Sequence, residues 1–112
     1  MRPGWIVLLA LLAGPAQAVD AAAAAKAQQL CSACHGPDGN SASDQFPRLA
    51  GQREAYLVAA LQAYRSGRRN EPMMSPQAKK LSDRDIDQLA AYYAAQTGLR
   101  VMQGGPWRRG DR

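Results

Sequence analysis

The two cysteines and the single histidine of the chain lie within five consecutive residues, in the pattern C-x-x-C-H from Cys31 to His35. Two thiols three residues apart can each form a thioether bond with one of the two vinyl groups of a single haem. The imidazole that follows Cys34 then serves as the proximal ligand of the iron. The pattern therefore predicts one covalently attached haem c, held by Cys31 and Cys34, with His35 on the iron.

Four other interpretations of this segment remain open. A thioredoxin-like redox pair would follow a β-strand, whereas residues 21–30 have the composition of a helix. A structural zinc site would need a fourth ligand, and the chain has no third cysteine and no second histidine. A disulfide between Cys31 and Cys34 would close too small a loop to add much stability. The fourth interpretation is a chance match. All four interpretations are weaker than haem attachment, because C-x-x-C-H is among the more specific short patterns.

The N-terminal segment has the features of a secretory signal. Arg2 supplies a positive charge, residues 5–13 form a short apolar stretch, and Ala16-Gln17-Ala18 has the small-x-small form of a cleavage site. A retained membrane anchor is the competing interpretation, but a spanning helix needs about twenty apolar residues. The sequence therefore predicts a signal peptide over residues 1–18, export to the periplasm and no stable membrane insertion after cleavage.

Length and composition limit the remaining possibilities. A chain of 112 residues with 46% apolar and 21% charged residues fits one small globular domain, which excludes a large multidomain enzyme and a wholly disordered chain. The net charge of +5 favours acidic partners. Nucleic acid is not among the expected partners, because no basic run is interleaved with aromatic residues.

Hydrophobic spacing predicts an all-α protein with three main helices and no strands. The first helix is capped by Asp20 and runs to about residue 30 or 31, and the second covers residues 52–66 and stops at Gly67. The third begins after Ser82 in a pattern that resembles a capping box and ends at Gly98. Their predicted buried faces are Tyr56, Leu57, Ala60, Leu61 and Tyr64 on the second helix, and Ile86, Leu89, Ala90 and Tyr93 on the third.

The side chains available for a core are few and small. The first helix is rich in alanine, and the chain contains one phenylalanine. A small domain of this kind gains stability from a bulky apolar group at its centre, which a porphyrin would provide.

Several segments in a fixed order resemble a known family. Beyond the C-x-x-C-H site they are Gly36-Pro37-Asp38-Gly39-Asn40-Ser41, Phe46-Pro47-Arg48-Leu49-Ala50-Gly51-Gln52, Pro72-Met73-Met74-Ser75-Pro76, and Leu81-Ser82-Asp83 leading into Ala90-Ala91-Tyr92-Tyr93. On these residues the chain resembles the class I cytochromes c, particularly the small bacterial periplasmic monohaem type similar to one half of a dihaem cytochrome c4. The resemblance covers residues 21–97. It implies three main helices wrapped around one haem c, in a domain of residues 19–100 followed by a flexible tail of residues 101–112.

The resemblance also implies the remaining residues of the site. In this family a methionine thioether from the segment before the last helix is the sixth ligand of the iron, and counting back seven residues from Leu81 selects Met74, with Met73 as the second choice. Pro47 matches the family position whose carbonyl binds the other ring nitrogen of His35. The alternatives are that both methionines are packing residues and that Pro47 only sets a turn.

The function implied is electron transfer in the periplasm by a single haem iron that alternates between Fe(II) and Fe(III), with no reaction catalysed by the protein. Two alternatives are a haem c subunit of a periplasmic dehydrogenase or sulfur-oxidising complex and, less favoured, a haem-based ligand sensor. The expected partners are transient redox proteins with an acidic docking patch, and the chain is expected to be a monomer. The basic residues that would steer such a partner, unless they are merely solvated surface charges, are Arg65, Arg68, Arg69, Lys79 and Lys80.

Overall fold

The computed structural model describes residues 20–98, and this part of the chain contains five helices and no strand. They are α1 (Ala21–Leu30), α2 (Ser32–His35), α3 (Glu54–Ser66), α4 (Met74–Lys79) and α5 (Asp83–Ala94). The all-α prediction is confirmed, although the short helices α2 and α4 were not predicted. None of these five helices is long and apolar enough to cross a bilayer. The predicted signal peptide, the tail and both ends of the predicted domain lie outside the described residues.

Three helix ends are fixed by the residues that the sequence indicates. At the start of α5, the Ser82 hydroxyl accepts the Asp85 N–H at 3.1 Å, and the Asp85 carboxylate accepts the Ser82 N–H at 3.0 Å. Asp20 caps α1 by accepting the Ala22 N–H at 3.0 Å. Such caps each contribute about 1 kcal/mol. Gly67 ends α3 in the left-handed conformation with φ of 82°, which glycine adopts without strain.

The core lies where α5 packs against α1 and α3. The predicted face of α5 is confirmed, because all four of its residues are buried, and Tyr92 is buried with them. The residues of α1 that enter the core are the buried Ala23 and Ala27 and the half-buried Ala24. Alanine side chains let the two helix backbones approach closely, but they add little apolar area to the core.

Polar side chains surround the contact between α1 and α5. Lys26 forms an ion pair with Asp85 and also donates to the Gln88 side chain at 3.2 Å. Gln88 in turn donates to the Asp20 carboxylate at 3.0 Å. The hydrogen bond from Lys26 lowers the pKa of Asp85 to about 2, so the Asp85 carboxylate stays ionised above that pH. These bonds link α1 to the N-terminal half of α5.

On α3 the predicted face is buried only in part, because Ala60, Leu61 and Tyr64 are half-buried and Tyr56 is exposed. Leu57 is buried, but Tyr56 is 52% exposed and does not share the buried face. Neighbouring residues of a helix point about 100° apart, and the partners of α3 within the described residues, α4 and α5, cover the side that carries Leu57. The prediction that Tyr56 belongs to the protein core is therefore wrong.

The C-terminus of α5 also differs from the prediction. The helix ends at Ala94 and not at Gly98. The Tyr93 carbonyl accepts the N–H of Gly51 at 2.9 Å, which joins the last turn of α5 to the loop before α3. Gly98 lies so close to Asn40 that a Cβ atom there would overlap the Asn40 amide. Gly98 is therefore required for close packing between loops and is not the residue that ends the helix.

Candidate functional site

The short helix α2 brings the two cysteines and the histidine together. Cys31 precedes its first turn, and the carbonyl of Cys31 accepts the N–H groups of Cys34 at 3.3 Å and His35 at 3.0 Å. Residues three and four positions apart share one face of a helical turn. Both thiols and the imidazole therefore lie on the same side of α2.

His35 is buried and held in one orientation. Its side chain is among the least exposed polar groups of the described residues, at 6%, and Nδ1 lies 2.8 Å from the carbonyl oxygen of Pro47. A carbonyl can only accept, so Nδ1 carries the hydrogen in this bond, and Nε2 is the ring nitrogen whose lone pair is available to a metal when the ring is neutral. The Phe46 ring packs edge-on against the imidazole, with the ring centroids 6.3 Å apart. This arrangement leaves Nε2 as the nitrogen that can bind a metal.

The two cysteines differ in exposure, and no disulfide joins them. Cys31 is half-buried against the core, whereas Cys34 is exposed. Burial raises the pKa of the Cys31 thiol above its ordinary value. A thioredoxin-like pair needs a lowered pKa, so the environment of Cys31 does not fit that alternative. Residues 20–98 contain no group of three or more metal-binding side chains of the kind a structural zinc site requires.

The two methionines occupy different environments. Met74 is the first residue of α4, is half-buried and lies near His35, whereas Met73 is 55% exposed. Residues 74–76 belong to a helical turn that was not predicted from the sequence. Pro76 is compatible with this turn because it is the third residue of α4, where the backbone N–H would have no partner within the helix.

Glu71 is a residue of this region that the sequence analysis missed. Its carboxylate accepts the N–H of Met73 at 2.8 Å and the N–H of Met74 at 2.7 Å. The backbones are also joined, because the Ser75 N–H donates to the Glu71 carbonyl at 2.9 Å. The signal was present in the sequence, since Pro72 follows Glu71 and proline favours the first position of a helix. Glu71 therefore acts as the capping residue of the turn that carries both methionines.

The donor set and the apolar surface of this region fit a haem. Two thiols, one ring nitrogen with a free lone pair and one thioether are the groups that covalent attachment and axial ligation require. Leu30 and Tyr56, two large apolar side chains, are 45% and 52% exposed to solvent. The Tyr93 hydroxyl is buried beside the Cys31 thiol. A large group with apolar faces would cover the exposed side chains and complete the small core.

Comparison with known proteins gives consistent matches. The family model for cytochrome c matches residues 19–95. Cytochrome c-554(548) of Halomonas halodenitrificans is 45% identical over 80 residues, which cover 69% of this chain and 96% of that protein. The thiosulfate dehydrogenase electron acceptor of Stutzerimonas stutzeri is 45% identical over 67 residues, covering 57% of this chain and 31% of that protein.

A solved structure is also similar. The crystal structure of reduced recombinant cytochrome c4 from Pseudomonas stutzeri superimposes with a TM-score of 0.64 at 39% sequence identity. The match covers 70% of this chain and 45% of that one. The chain thus spans nearly the full length of one relative and less than half the length of the other two.

Proposed function

Because the chain belongs to the cytochrome c family, we propose that it carries electrons in the bacterial periplasm with His35 and Met74 as the axial ligands of its iron. The match confirms the resemblance to class I cytochromes c and to cytochrome c4, with haem c as the cofactor. The chain is an electron carrier and not an enzyme. The bound haem supplies one-electron exchange between ferrous and ferric iron. In this proposal Cys31 and Cys34 form the thioether bonds.

The observation that carries the proposal is the hydrogen bond that orients the His35 imidazole. Its Nδ1 is bound to the Pro47 carbonyl, so Nε2 faces outward from that bond with a free lone pair, on the side of α2 that carries both thiols. A hydrogen bond of this kind fixes the ring and raises its basicity as a ligand. We therefore assign Pro47 the role of orienting the ligand through its backbone carbonyl.

Met74 is the better candidate for the second axial position. Its half-buried position near His35 supports this choice, and the 55% exposure of Met73 weighs against the alternative. With His35 and Met74 both bound, no axial position is open to dioxygen or peroxide. The proposal therefore favours electron transfer over the haem-based sensor.

The periplasmic location rests on the N-terminal sequence. We propose that residues 1–18 are a cleaved signal peptide, that residues 19–100 form the cytochrome domain and that residues 101–112 are a tail. The family match over residues 19–95 agrees with a domain that begins where the signal would be cleaved.

A second candidate function has one specific observation in its favour. One relative bears the name thiosulfate dehydrogenase electron acceptor, which fits a haem c subunit of a periplasmic dehydrogenase or sulfur-oxidising complex. The first proposal expects a monomer with transient partners. Gel filtration of a native extract separates the two, because a subunit elutes with its complex and a free carrier elutes at the size of one chain.

The proposed function predicts a covalent haem and a reversible one-electron couple. The full chain is expressed in a bacterium that has haem-attachment machinery, and the exported product is analysed by mass spectrometry and by absorption in its oxidised and reduced states. The expected mass is that of residues 19–112 plus one haem, and the expected spectra are those of a low-spin iron bound by both His35 and Met74. A stably folded product with the bare polypeptide mass would contradict the proposal.

The basic residues near Met74 form a candidate docking surface, here called the basic patch: Arg65, Arg68, Arg69, Lys79 and Lys80. Two members are tied to the protein, because Arg65 pairs with Asp83 and Arg69 stacks on the Tyr64 ring at 4.6 Å. Lys79, Lys80 and Arg68 form no ion pair with any group of residues 20–98. We propose that these charges attract an acidic patch on a redox partner.

Replacing Arg68 and Arg69 with serine tests this docking surface. Electron transfer to the oxidase in host membranes is expected to slow several-fold at low ionic strength and to lose most of its salt dependence, since charge steering acts on the encounter rate. The matched control compares Arg68→Ser with Arg53→Ser, which removes one exposed charge at the opposite end of α3. Equal slowing in these two single variants would mean that net charge and not the basic patch controls the encounter.

A further inference from the structure

We propose that Glu71 is a positioning residue that keeps the Met74 thioether in place as the axial ligand. The inference deepens the proposed function and rests on the assignment of Met74 to the iron. It follows from the hydrogen bonds that Glu71 makes to the backbone on both sides of the ligand.

The carboxylate of Glu71 binds the two backbone groups that control where Met74 lies. It accepts the N–H of Met73 at 2.8 Å and the N–H of Met74 at 2.7 Å. Hydrogen bonds to an ionised acceptor are shorter and about twice as strong as neutral ones. The start of α4 is therefore held by charge-assisted bonds from a side chain three residues before the ligand.

Ser75 completes a closed set of bonds around the methionine. The Glu71 N–H donates to the Ser75 hydroxyl oxygen at 2.9 Å, and the Ser75 N–H donates to the Glu71 carbonyl at 2.9 Å. Ser75 is only 6% exposed, so water does not compete strongly for these bonds. Glu71 and Ser75 thus enclose Met73 and Met74 between two backbone contacts.

The same set of bonds is anchored to α3. The Arg69 N–H donates to the Ala63 carbonyl at 3.0 Å, which fixes the segment that leads into Glu71. The Ser75 hydroxyl also lies 3.4 Å from the Asn70 side-chain oxygen. The Met74 backbone is therefore held in place relative to α3 as well as within its own short turn.

This restraint matters because of the chemistry of methionine. The methionine side chain has three rotatable bonds, and its neutral thioether sulfur donates electrons only weakly to a metal. An external ligand such as imidazole competes with it for ferric iron, and the outcome depends on how strongly the protein confines the sulfur beside the metal. A fixed backbone at Met74 raises the effective concentration of the thioether there. Removing the carboxylate frees the turn and shifts the competition toward the external ligand.

Imidazole binding to the oxidised holoprotein measures this competition. Glu71→Ala is expected to bind imidazole about tenfold more tightly than the unaltered protein, as the loss of a charge-assisted bond predicts. Glu71→Gln keeps a neutral acceptor, so its affinity is expected to lie between the two. The methionine-to-iron charge-transfer band of the oxidised protein is expected to weaken in the same order.

The control separates positioning from general loss of stability. Ser82→Ala removes the cap of α5 without changing a contact of residues 69–75, so it is expected to lower the melting temperature and to leave imidazole affinity within about twofold. If Glu71→Ala and Glu71→Gln both match the unaltered protein in affinity, or if Ser82→Ala shifts it equally, the inference is wrong. An unaltered holoprotein without the charge-transfer band would instead overturn Met74 as the ligand, and the role of Glu71 with it.

Discussion

Replacing both Cys31 and Cys34 with alanine is expected to abolish covalent haem attachment and to leave most of the exported chain poorly folded. The reason lies in the core, because the residues of α1 that pack in it are the alanines Ala23, Ala24 and Ala27. Among residues 20–98, Ile86 and Leu89 are the large side chains exposed by no more than 1%, and the other large buried side chains are Leu57, Leu81, Tyr92 and Tyr93. A domain with so little apolar burial depends on the bulky group that its cysteines retain. Mass spectrometry and circular dichroism of the exported product measure both effects.

The single cysteine variants are expected to differ from each other. Cys34 is exposed, so Cys34→Ala removes a thioether and little else, whereas Cys31→Ala also removes packing against the core. Cys31→Ala is therefore expected to have the lower melting temperature. Ala33→Ser, an exposed change between the two cysteines, is the matched control and is expected to attach haem normally. Haem that stays bound to the double variant under denaturing extraction would contradict the role of the thiols.

Replacing Met74 with alanine is expected to have the next largest effect. The oxidised protein should lose its methionine-to-iron charge-transfer band, and the midpoint potential should fall, because a thioether ligand favours ferrous iron. Axial ligands set haem potentials over a range of about 0.8 V, so a decrease on the order of 0.1 V or more is expected. Absorption spectra and a potentiometric titration measure the two changes.

Met73→Ala is the natural control for this experiment. Met73 is the neighbouring residue and is bonded through its N–H to the same carboxylate, but its side chain is 55% exposed. Met73→Ala is therefore expected to keep the charge-transfer band and a potential close to that of the unaltered protein. The reverse outcome, with the band lost only in Met73→Ala, would assign the iron to Met73.

The parts of the fold that were predictable from the sequence are those set by local interactions. The cap of α5 is formed by Ser82 and Asp85, three residues apart, and the end of α3 is set by Gly67. Such signals depend only on neighbouring residues and on the backbone preferences of serine, aspartate and glycine. The buried face of α5 was equally readable, because the helix has apolar residues at regular intervals.

The features that were not predictable depend on contacts between distant segments. Tyr56 has the spacing of a core residue, but no described helix covers the side of α3 that carries it. The end of α5 was misplaced because the Tyr93 carbonyl binds the N–H of Gly51, which lies far away in the sequence. Neither feature can be predicted from the local conformational preferences of the residues.

In the candidate site, too, some features were predictable from the sequence and others were not. The positions of Cys31 and His35 relative to one another follow from one helical turn and could be read from the sequence. The bond from His35 to the Pro47 carbonyl was predicted only through resemblance, because a loop of twelve residues has no periodicity from which to derive it. Glu71 was missed although its bonds are local, because α4 was not predicted and a helix start was therefore not expected after Glu71.

The contact between α1 and α5 has a consequence for how the chain folds. Lys26 and Asp85 are 59 residues apart, and Gln28 and Tyr92, which are also in contact, are 64 residues apart. Contacts of such long sequence separation form late, because the chain must first close a large loop. A chain in which α5 has not yet docked against α1 therefore lacks its complete core, and the Cys31 thiol, which is half-buried against that core in the folded protein, is more accessible until α5 docks.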